Sequence, residues 1–423
     1  MKALILGAGA REHTIAWKMA MSRRIAGLYI APGNAGTAEA GENLPEVNPE
    51  STESVLKACV DNHINLVVVG PEGPLALGIV DEIKKKGISV IGPHKEAAQL
   101  ESSKAFSKEF MTRHSIPTAA AIKFSIGESE IFRNHVDSAS GKLVIKKSGL
   151  ASGKGVLESD NKEEIIAFGE KILMSDALLV EEYLIGYEIS LFAFTDGKSY
   201  TLLPPAADFK KAGENDSGLN TGGMGAICPV PIVGSKLLAD VEHNIVAPTF
   251  KGLTLDGLSF IGVLYFGLMI TKSGPKLLEY NVRWGDPETQ VLVPLIKSDF
   301  VNLCEAILDG TLDKFPLQIA TDSALGVVVA SRGYPGEYAK GITVESLPKS
   351  KDMNQLVFHA STKRDTKGRV VTGGGRCFTV VGIGPDGLSA NQRAYKAVSE
   401  VAFDGAWWRE DIGKKFFVNE GPE

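Results

Sequence analysis

The segment LLEYNVRWGDPETQ, residues 277–290, combines a strand-like start with a dense group of charged side chains. Glu279, Asn281 and Arg283 lie two residues apart and therefore project from one face of a strand. Carboxylate and amide oxygens suit a Mg²⁺ ion that is also bound to nucleotide phosphates. A guanidinium beside them grips a carboxylate through two parallel hydrogen bonds. Because burying such groups without partners is costly and apolar residues flank them, this face predicts a site for a charged ligand.

The glycine-rich segment VIKKSGLASGKGV, residues 144–156, is a candidate phosphate-binding loop. A strand that carries Lys146 leads into a turn with Gly149, Gly153 and Gly155. It is not a Walker loop, since the lysine of that motif is followed by Ser or Thr and Lys154 is followed by a glycine. Backbone N–H groups of such a loop fold over phosphates, and a strand lysine supplies a point charge. On these residues alone, a hairpin with solvated lysines is an equally good interpretation.

Two further segments carry weaker signals. LLVEEYLIGYEIS, residues 178–190, predicts a strand that ends in Glu181 and Glu182, with Glu188 nearby. Such a strand end offers backbone groups to an adenine edge, and a carboxylate accepts hydrogen bonds from ribose hydroxyls. NTGGMGA, residues 220–226, lets a backbone approach a ligand closely. Taken alone, an ordinary strand end and a flexible turn explain these two segments at least as well.

The elements that must position these side chains begin with an alternating pattern. The first stretch of the chain has four short Val/Ile/Leu strands separated by helices, which predicts a doubly wound parallel sheet. The strands end in Gly or Pro turns, which such a sheet places at one edge, where a small anionic ligand meets backbone N–H groups. GAGARE at the first turn is a poor match to the dinucleotide-binding motif GxGxxG. Glu12 occupies the position of the third glycine, and the second strand does not end in the acidic residue that would bind a ribose hydroxyl. A nicotinamide enzyme is therefore disfavoured.

The remaining chain predicts two more regions. A small α+β unit is expected at about 122–191, and the polar, glycine-rich stretch 210–226 is expected to be a loop. From about residue 323 the pattern changes to strands separated by turns, followed by a helix, which indicates a separate C-terminal α+β domain. The predicted domains are 1–102, 103–322 and 323–423.

Composition excludes several classes of protein. The net charge of −6 argues against a nucleic-acid partner, and no apolar run approaches the length that spans a bilayer. The four cysteines form no CxxC pair, which is typical of a reduced, cytoplasmic protein. Neither a GxSxG nor an HExxH motif is present, so an enzyme built on this chain works by positioning and electrostatics.

Six motifs together carry a resemblance to a known family. GAGAREH, APGNAGT, VVGPEGPL, SGLASGKGV, LNTGGMGA and NVRWGDPETQ resemble those of the phosphoribosylamine–glycine ligase family, in the ATP-grasp superfamily. The resemblance spans the chain and implies a Rossmann-like N-terminal substrate domain, a central ATP-grasp fold with an ATP lid at about 122–191, and a C-terminal α+β domain. It implies that ATP, glycine and 5-phosphoribosylamine give glycinamide ribonucleotide, ADP and phosphate through a glycyl phosphate, an early step of purine synthesis. The cofactor is expected to be Mg²⁺ or Mn²⁺, and the protein a monomer, with a dimer left open.

The resemblance also assigns roles to residues. Glu279 and Asn281 match the metal ligands, and Arg283, Lys146 and Asp208 are the expected catalytic residues. The expected ATP contacts are Lys104, Lys146, Gly149, Gly153, Lys154, Gly155, Glu181, Glu182, Tyr183, Leu184 and Glu188. The expected contacts of the small substrates are Gly9, Asn34, Gly36, Thr37, Pro71, Glu72, Asp208, Lys210, Thr221, Gly222, Gly223, Met224 and Arg283.

Four positions depart from the family pattern. Trp284 replaces Phe or Leu and should point away from Arg283, so only packing is expected to change. Phe209 replaces a histidine, which puts in doubt any role for the side chain after Asp208. Lys147 and Ser148 replace Ala and Asp, which puts in doubt the conformation of the first turn of the glycine loop.

Three rival interpretations of the whole chain remain. They are another ATP-grasp ligase, a nicotinamide oxidoreductase and an inactive nucleotide-binding shell.

Overall fold

A computed structural model of the chain describes residues 1–151, 155–348 and 352–417. Gly153 and Lys154, two of the predicted ATP contacts, lie outside the described residues. None of the helices in the described part is both long and apolar enough to cross a bilayer.

The N-terminal region is a parallel sheet with helices packed around it, as the sequence predicts. Its strands, in spatial order, are Glu42–Asn43, Gly27–Pro32, Lys2–Gly7, Leu66–Val69 and Ser89–Ile91. Its helices are Ala10–Ala20, Thr37–Ala40, Thr52–Asp61, Glu72–Leu77 and Ile79–Lys85. The sequence predicts one helix over 75–87, but the helix breaks at Gly78, whose φ of +89° favours glycine. The two-residue strand Glu42–Asn43 is too short to leave an alternating pattern, and the sequence did not reveal it.

A small antiparallel sheet covered by two helices follows. In spatial order its strands are Ala121–Phe124, Leu178–Glu182, Leu143–Lys147 and Val156–Ser159, and its helices are Ser129–Ser138 and Lys162–Leu173. Phe132, Ile145 and Val180 form its core with the helices. Lys146 and Glu181 alternate with these core residues and therefore project from the opposite face of the sheet. The helix Lys104–Arg113 contacts that side through Lys108, which forms an ion pair with Glu181.

The central region is built on a second antiparallel sheet. Its strands, in spatial order, are Tyr200–Leu202, Gly186–Thr195, Gly262–Thr271 and Gly274–Asn281. Its helices are Gln99–Ser102, Lys104–Arg113, Ser235–Val241, Ala247–Leu255, Thr289–Leu292 and Phe300–Leu308, with a π-helical turn at Glu242–Val246 and 3₁₀ turns at Val293–Leu295 and Leu312–Lys314.

A six-stranded sheet connects the central and C-terminal regions. The spatial order is Ala207–Asp208, Gly225–Cys228, Ser323–Ser331, Arg376–Gly384 and Gln355–His359, and Ala406–Trp407 also pairs with Ser323–Ser331. The helix Gly387–Val398 packs on this sheet, and Lys414–Phe416 forms a 3₁₀ turn. Two small strand pairs, Val344–Ser346 with Ala402–Phe403 and Thr362–Arg364 with Val370–Thr372, complete the region.

The prediction of a loop at 210–226 is wrong. Lys211–Gly213 and Ser217–Asn220 form a hairpin around a 3₁₀ turn at Glu214–Asp216, and Gly225–Cys228 belongs to the six-stranded sheet. The hairpin is held by polar contacts rather than by a buried apolar face, so its sequence shows no alternation of apolar residues. The buried guanidinium of Arg409 donates to the Lys211 carbonyl at 2.9 Å and to Asp216 at 3.1 Å.

Candidate active site

The strand Gly274–Asn281 and the residues after it present two different faces. Tyr280 and Val282 are buried, and the Tyr280 hydroxyl lies 2.7 Å from that of Thr249. Glu279, Asn281 and Arg283 alternate with them and share the opposite face, as the sequence predicts. Across the strand pair, Gly267 faces Glu279, and a Cβ there would lie 3.2 Å from the Cγ of Glu279. The absence of a side chain on the neighbouring strand leaves space for the carboxylate.

Cations from separate parts of the chain surround Glu279. Burial by itself raises the pKa of this carboxyl, but the charges of Lys210, Lys146, Lys104 and Arg283 outweigh it and lower the pKa below its ordinary value. The predicted ATP lysines, the predicted substrate lysine and the predicted catalytic arginine therefore converge on one predicted metal ligand.

Arg283 is held by a buried carboxylate that the sequence did not single out. The Nη2 atom of Arg283 lies 2.7 Å from one oxygen of Glu101, whose other oxygen accepts the Val282 N–H at 2.8 Å. Glu72 lies 3.4 Å from the Nε of Arg283, and the Nη1 atom donates to the Trp284 carbonyl at 3.1 Å. Burial raises the pKa of Glu101, with the charge of Arg283 opposing the shift. A signal existed, since Glu101 is a lone carboxylate three residues before Lys104.

Lys146 belongs to a chain of buried charges on the inner face of the small sheet. Its Nζ lies 2.8 Å from one oxygen of Glu181, and Lys108 lies 3.2 Å from the other. Glu182 accepts from the Ala120 N–H at 2.9 Å and pairs with Lys276 at 3.1 Å. Glu181 and Glu182, two of the three carboxylates predicted to contact the nucleotide, are thus engaged with protein groups.

Both ends of the glycine loop are fixed by hydrogen bonds. Gly149 donates its N–H to Asp176 at 3.1 Å, and the Lys147 N–H donates to the Gly155 carbonyl at 2.8 Å. Lys104 approaches the start of the loop, where its N–H donates to the Ser148 carbonyl at 2.9 Å and its Nζ to the Gly149 carbonyl at 3.4 Å. Lys104 and Lys146 are therefore placed beside the segment that is expected to cover phosphates.

A second charged group lies beyond Glu279. Lys210 forms an ion pair with Glu188. Burial raises the pKa of Asp208 to about 7, Lys210 opposes the shift, and the charges of Glu288 and Glu188 add to it. Glu288 is 2% exposed and accepts from the Ser190 hydroxyl at 3.0 Å. A carboxyl group with a near-neutral pKa in such surroundings is a candidate acid or base.

The glycine turn 221–224 is anchored from two sides. Thr221 donates its hydroxyl to the Lys210 carbonyl at 2.8 Å, which ties the turn to the Asp208 strand. Met224 is fully buried, so only its backbone is available to a ligand. From the C-terminal region, Arg376 donates to the Gly222 carbonyl at 2.5 Å, and Tyr334 accepts the Gly222 N–H at 3.0 Å.

Arg376 also contacts the turn after Arg283. Its Nη1 lies 3.3 Å from the carboxylate of Asp286, whose other oxygen would lie 3.3 Å from a Cβ built on Gly9. The N-terminal turn, the glycine turn and the segment 285–290 therefore meet at this point. The sequence did not assign Arg376, although a glycine run immediately before a buried strand resembles the other turns that are predicted to face a ligand.

The predicted phosphate turn after the second strand is closed by Asn34. Its amide oxygen accepts the N–H groups of Gly36 at 2.8 Å and Thr37 at 3.0 Å, and its amide nitrogen donates to the carbonyls of Ala8 and His359, each at 2.9 Å. Thr37 is fully buried. The side chains of Asn34 and Thr37 therefore shape the turn rather than offer free groups.

Glu12 explains why the first turn lacks the third glycine of a dinucleotide motif. Its carboxylate accepts the Gly9 N–H at 2.6 Å and forms an ion pair with Arg11 at 2.6 Å. A carboxylate in this position supports the turn from inside. Pro71 precedes the helix that begins at Glu72, which brings this third predicted turn against Arg283.

The departures from the family pattern have clear positions. Trp284 is 4% exposed and packs edge-on against Phe194 at 5.5 Å, away from the charged face, as expected. Phe209 is buried, with Arg409 5.3 Å and Lys415 4.7 Å from its ring, so its side chain takes no part in the site. Lys147 lies 3.8 Å from Asp176, which also binds the Gly149 N–H.

The donor set fits a metal ion that is shared with phosphates. No group of three His, Cys, Asp or Glu side chains in the described ranges has the geometry to hold an ion alone. The Nδ2 of Asn281 is buried without a hydrogen-bond partner among the described residues, which fits an amide whose NH₂ donates to a ligand oxygen and whose carbonyl oxygen is the atom that would coordinate an ion. Glu279 and Asn281 thus match Mg²⁺, which usually takes one or two protein ligands plus phosphates and water.

Models of three domains from one protein family match successive parts of the chain. The phosphoribosylglycinamide synthetase N domain matches residues 1–101, the ATP-grasp (A) domain of the same family residues 102–289, and its C domain residues 324–415.

Individual relatives give the same result. The chain is 42% identical to the phosphoribosylamine–glycine ligase of Chlorobaculum tepidum, over 98% of the chain and 100% of that protein. It is 43% identical to the trifunctional purine biosynthetic protein adenosine-3 of Gallus gallus, over 97% of the chain, and spans 42% of that longer protein. The crystal structure of phosphoribosylamine–glycine ligase from Thermotoga maritima superposes with a TM-score of 0.85 at 35% identity, covering 97% of this chain and 100% of that one.

Proposed function

Because this chain belongs to the phosphoribosylglycinamide synthetase family, we propose that it is a phosphoribosylamine–glycine ligase of purine biosynthesis. It joins glycine to 5-phosphoribosylamine and converts ATP to ADP and phosphate. The convergence of Lys210, Lys146, Lys104 and Arg283 on Glu279 carries this proposal, because a phosphoryl-transfer site needs clustered cations beside a metal-binding carboxylate.

ATP binds between the small sheet and the central sheet. Lys104 and Lys146 hold its phosphates under the glycine loop, with Gly149, Gly155 and the Gly153–Lys154 segment supplying backbone N–H groups. Tyr183 and Leu184 present backbone groups to adenine, and Glu188 receives the ribose. The ATP-grasp family uses ATP with Mg²⁺, and Glu279 and Asn281 would hold that ion, which neutralises charge on the phosphates when bound. Mn²⁺ is proposed as a substitute.

Glycine is activated next to Arg283. A glycine carboxylate oxygen forms a bond to the terminal phosphorus of ATP, the bond from that phosphorus to ADP breaks, and glycyl phosphate results. Arg283 holds the carboxylate and the transferring group, and Glu101 holds Arg283 in position. The protein supplies geometry and charge, and no covalent enzyme intermediate is needed.

The second step forms the amide. The amine of phosphoribosylamine attacks the glycyl carbon, the C–N bond forms, the C–O bond to phosphate breaks, and phosphate leaves. Asp208 receives the proton that the amine loses, since a pKa of about 7 suits a base at neutral pH. Lys210 and the turn 221–224 hold the reacting groups.

Phosphoribosylamine binds at the meeting point of the N-terminal turns. Its phosphate and ribose lie against these turns, and Glu72 lies at the end nearest Arg283. The residues proposed for this contact are Gly9, Asn34, Gly36, Thr37, Pro71 and Glu72.

The cellular location, the oligomeric state, the partners and the domain limits complete the proposal. The protein works in the cytoplasm as a monomer, without a nucleic-acid or membrane partner. Residues 1–102, 103–322 and 323–423 are its domains, although the six-stranded sheet draws two strands of the second into the third.

An isotope experiment tests the proposed reaction. Glycine labelled with ¹⁸O in its carboxylate is turned over with ATP and phosphoribosylamine, and the released phosphate is analysed by mass spectrometry. A glycyl phosphate intermediate transfers one labelled oxygen to phosphate. Unlabelled phosphate formed together with product would show that the carboxylate is not phosphorylated, and no reaction with glycine would point to another acid.

A further inference from the structure

A lysine, a histidine and an aspartate form a hydrogen-bonded chain on the N-terminal region, outside the proposed active site. Asp81 and Lys84 lie one turn apart on the helix Ile79–Lys85. The Nζ of Lys84 lies 2.9 Å from Nε2 of His94, and Nδ1 of His94 lies 2.5 Å from Asp81. The second oxygen of Asp81 accepts the Lys95 N–H at 2.8 Å, which fixes the carboxylate.

This order of groups matches an activated nucleophile. Asp81 accepts the Nδ1 proton of His94, so the lone pair of Nε2 points at the lysine amine. A nucleophile, a base and a third group that orients the base are the general arrangement for nucleophilic attack by a side chain. We propose that Lys84 is a site of acylation by small acyl phosphates, with His94 as the proton acceptor and Asp81 as the group that orients it.

The proposed step is balanced without another reactant. The free amine of Lys84 attacks the acyl carbon, the N–C bond forms, the C–O bond to phosphate breaks, and inorganic phosphate leaves. The amine proton passes to Nε2 of His94, and Asp81 stabilises the resulting imidazolium. Burial lowers the pKa of Lys84, partly opposed by the charge of Asp81, which favours the free amine. The His94 and Asp81 side chains are each 30% exposed, so a small reagent has access.

Two adjacent lysines supply internal controls. Lys85 forms an ion pair with Glu82 at 2.7 Å, and this hydrogen bond raises its pKa. Lys86 is exposed and carries no histidine contact among the described residues. In the same residues, Lys84 has no carboxylate within ion-pair distance and contacts an imidazole instead. Exposure alone would therefore favour acylation of Lys85 and Lys86 over Lys84.

The test is acetylation of the full chain by acetyl phosphate. After cleavage at glutamate, fragmentation of the peptide 83–96 measures the acetylation rate of each lysine. Lys84 is expected to react roughly tenfold or more faster than Lys86, because a positioned base contributes at least that much. His94→Gln and Asp81→Asn are expected to bring the Lys84 rate down to that of Lys86 and leave Lys85 and Lys86 unchanged.

Two outcomes would overturn the proposal. Equal rates at the three lysines would show that the chain of groups does not activate Lys84. A fast Lys84 that is unaffected by both variants would show that local exposure, not His94, determines the rate. Circular dichroism and thermal melting of the variants establish that the fold is retained. If one variant does not fold, the other decides the question.

Discussion

Replacing Glu101 with glutamine perturbs Arg283 without changing the volume of the side chain. Glu101 forms an ion pair with Arg283 through one carboxylate oxygen and accepts the Val282 N–H with the other. Glutamine has one acceptor oxygen, so one of these donors faces an NH₂ group and loses its partner. The side chains of Arg283 and Glu101 are 16% and 7% exposed, so solvent does not replace the lost bond.

The size of the effect follows from this geometry. A hydrogen bond to a charged group contributes about 1.5–3 kcal/mol, which corresponds to roughly a 10- to 150-fold change in rate. If Arg283 holds the glycine carboxylate, kcat/KM for glycine falls by this factor, and the KM for ATP changes little. Steady-state kinetics with each substrate varied in turn measure the split. Glu109→Gln is a matched control, because Glu109 is 58% exposed and its ion pair with Lys123 lies on the surface.

Two results would refute this reasoning. Unchanged kcat/KM for glycine in a folded Glu101→Gln variant would show that the buried carboxylate does not position Arg283. Equal losses for glycine and ATP, accompanied by a lower Tm, would show that Glu101 supports the fold rather than the arginine.

Three further perturbations follow from the same site. Glu279→Ala is expected to remove most turnover while the fold persists; near-normal activity at limiting Mg²⁺ would contradict its role as metal ligand. Asp208→Asn is expected to abolish the rise in rate as the pH increases through about 7, because the base is the ionised form of a carboxyl with that pKa; a pH–rate profile with the same rise would exclude Asp208. Gly36→Ala is expected to lower the Tm, since its Cβ would lie 2.6 Å from Nδ1 of the buried His13 and such crowding costs about 1–3 kcal/mol. Gly234→Ala, which has open space, is the control, and an equal Tm for both variants would contradict this account.

The regular elements were predictable because their signals are local. Short Val/Ile/Leu runs between helices predict the N-terminal parallel sheet, and alternation of polar and apolar residues predicts which face Glu279, Asn281 and Arg283 share. The hairpin at 211–220 was missed because its stability comes from Arg409, nearly two hundred residues away in sequence (2.9 Å from the Lys211 carbonyl). Such a contact leaves no pattern in the hairpin itself.

The sequence predicted individual residues of the candidate site but not the contacts between segments that are distant in sequence. Strand alternation singled out Arg283, but the contact with the buried Glu101 forms only when the helix Gln99–Ser102 packs beside the end of the strand that carries Glu279 and Asn281. Arg376 was missed for the same reason, since it reaches Gly222 and Asp286 across a sheet formed by strands from two regions. Conversely, Asn34 and Thr37 are residue types that suit a binding site, but their side chains form hydrogen bonds within the turn and determine its shape.

ADP release by the purified protein, measured with Mg²⁺, ATP, glycine and phosphoribosylamine generated in situ and with each component omitted in turn, tests the proposed ligase activity most directly. The account predicts ADP only when glycine and the amine are both present, with one glycinamide ribonucleotide formed per ADP. ADP release that needs neither substrate, or only one of them, would contradict the assignment of substrates. The absence of ADP under all conditions would contradict the ligase itself.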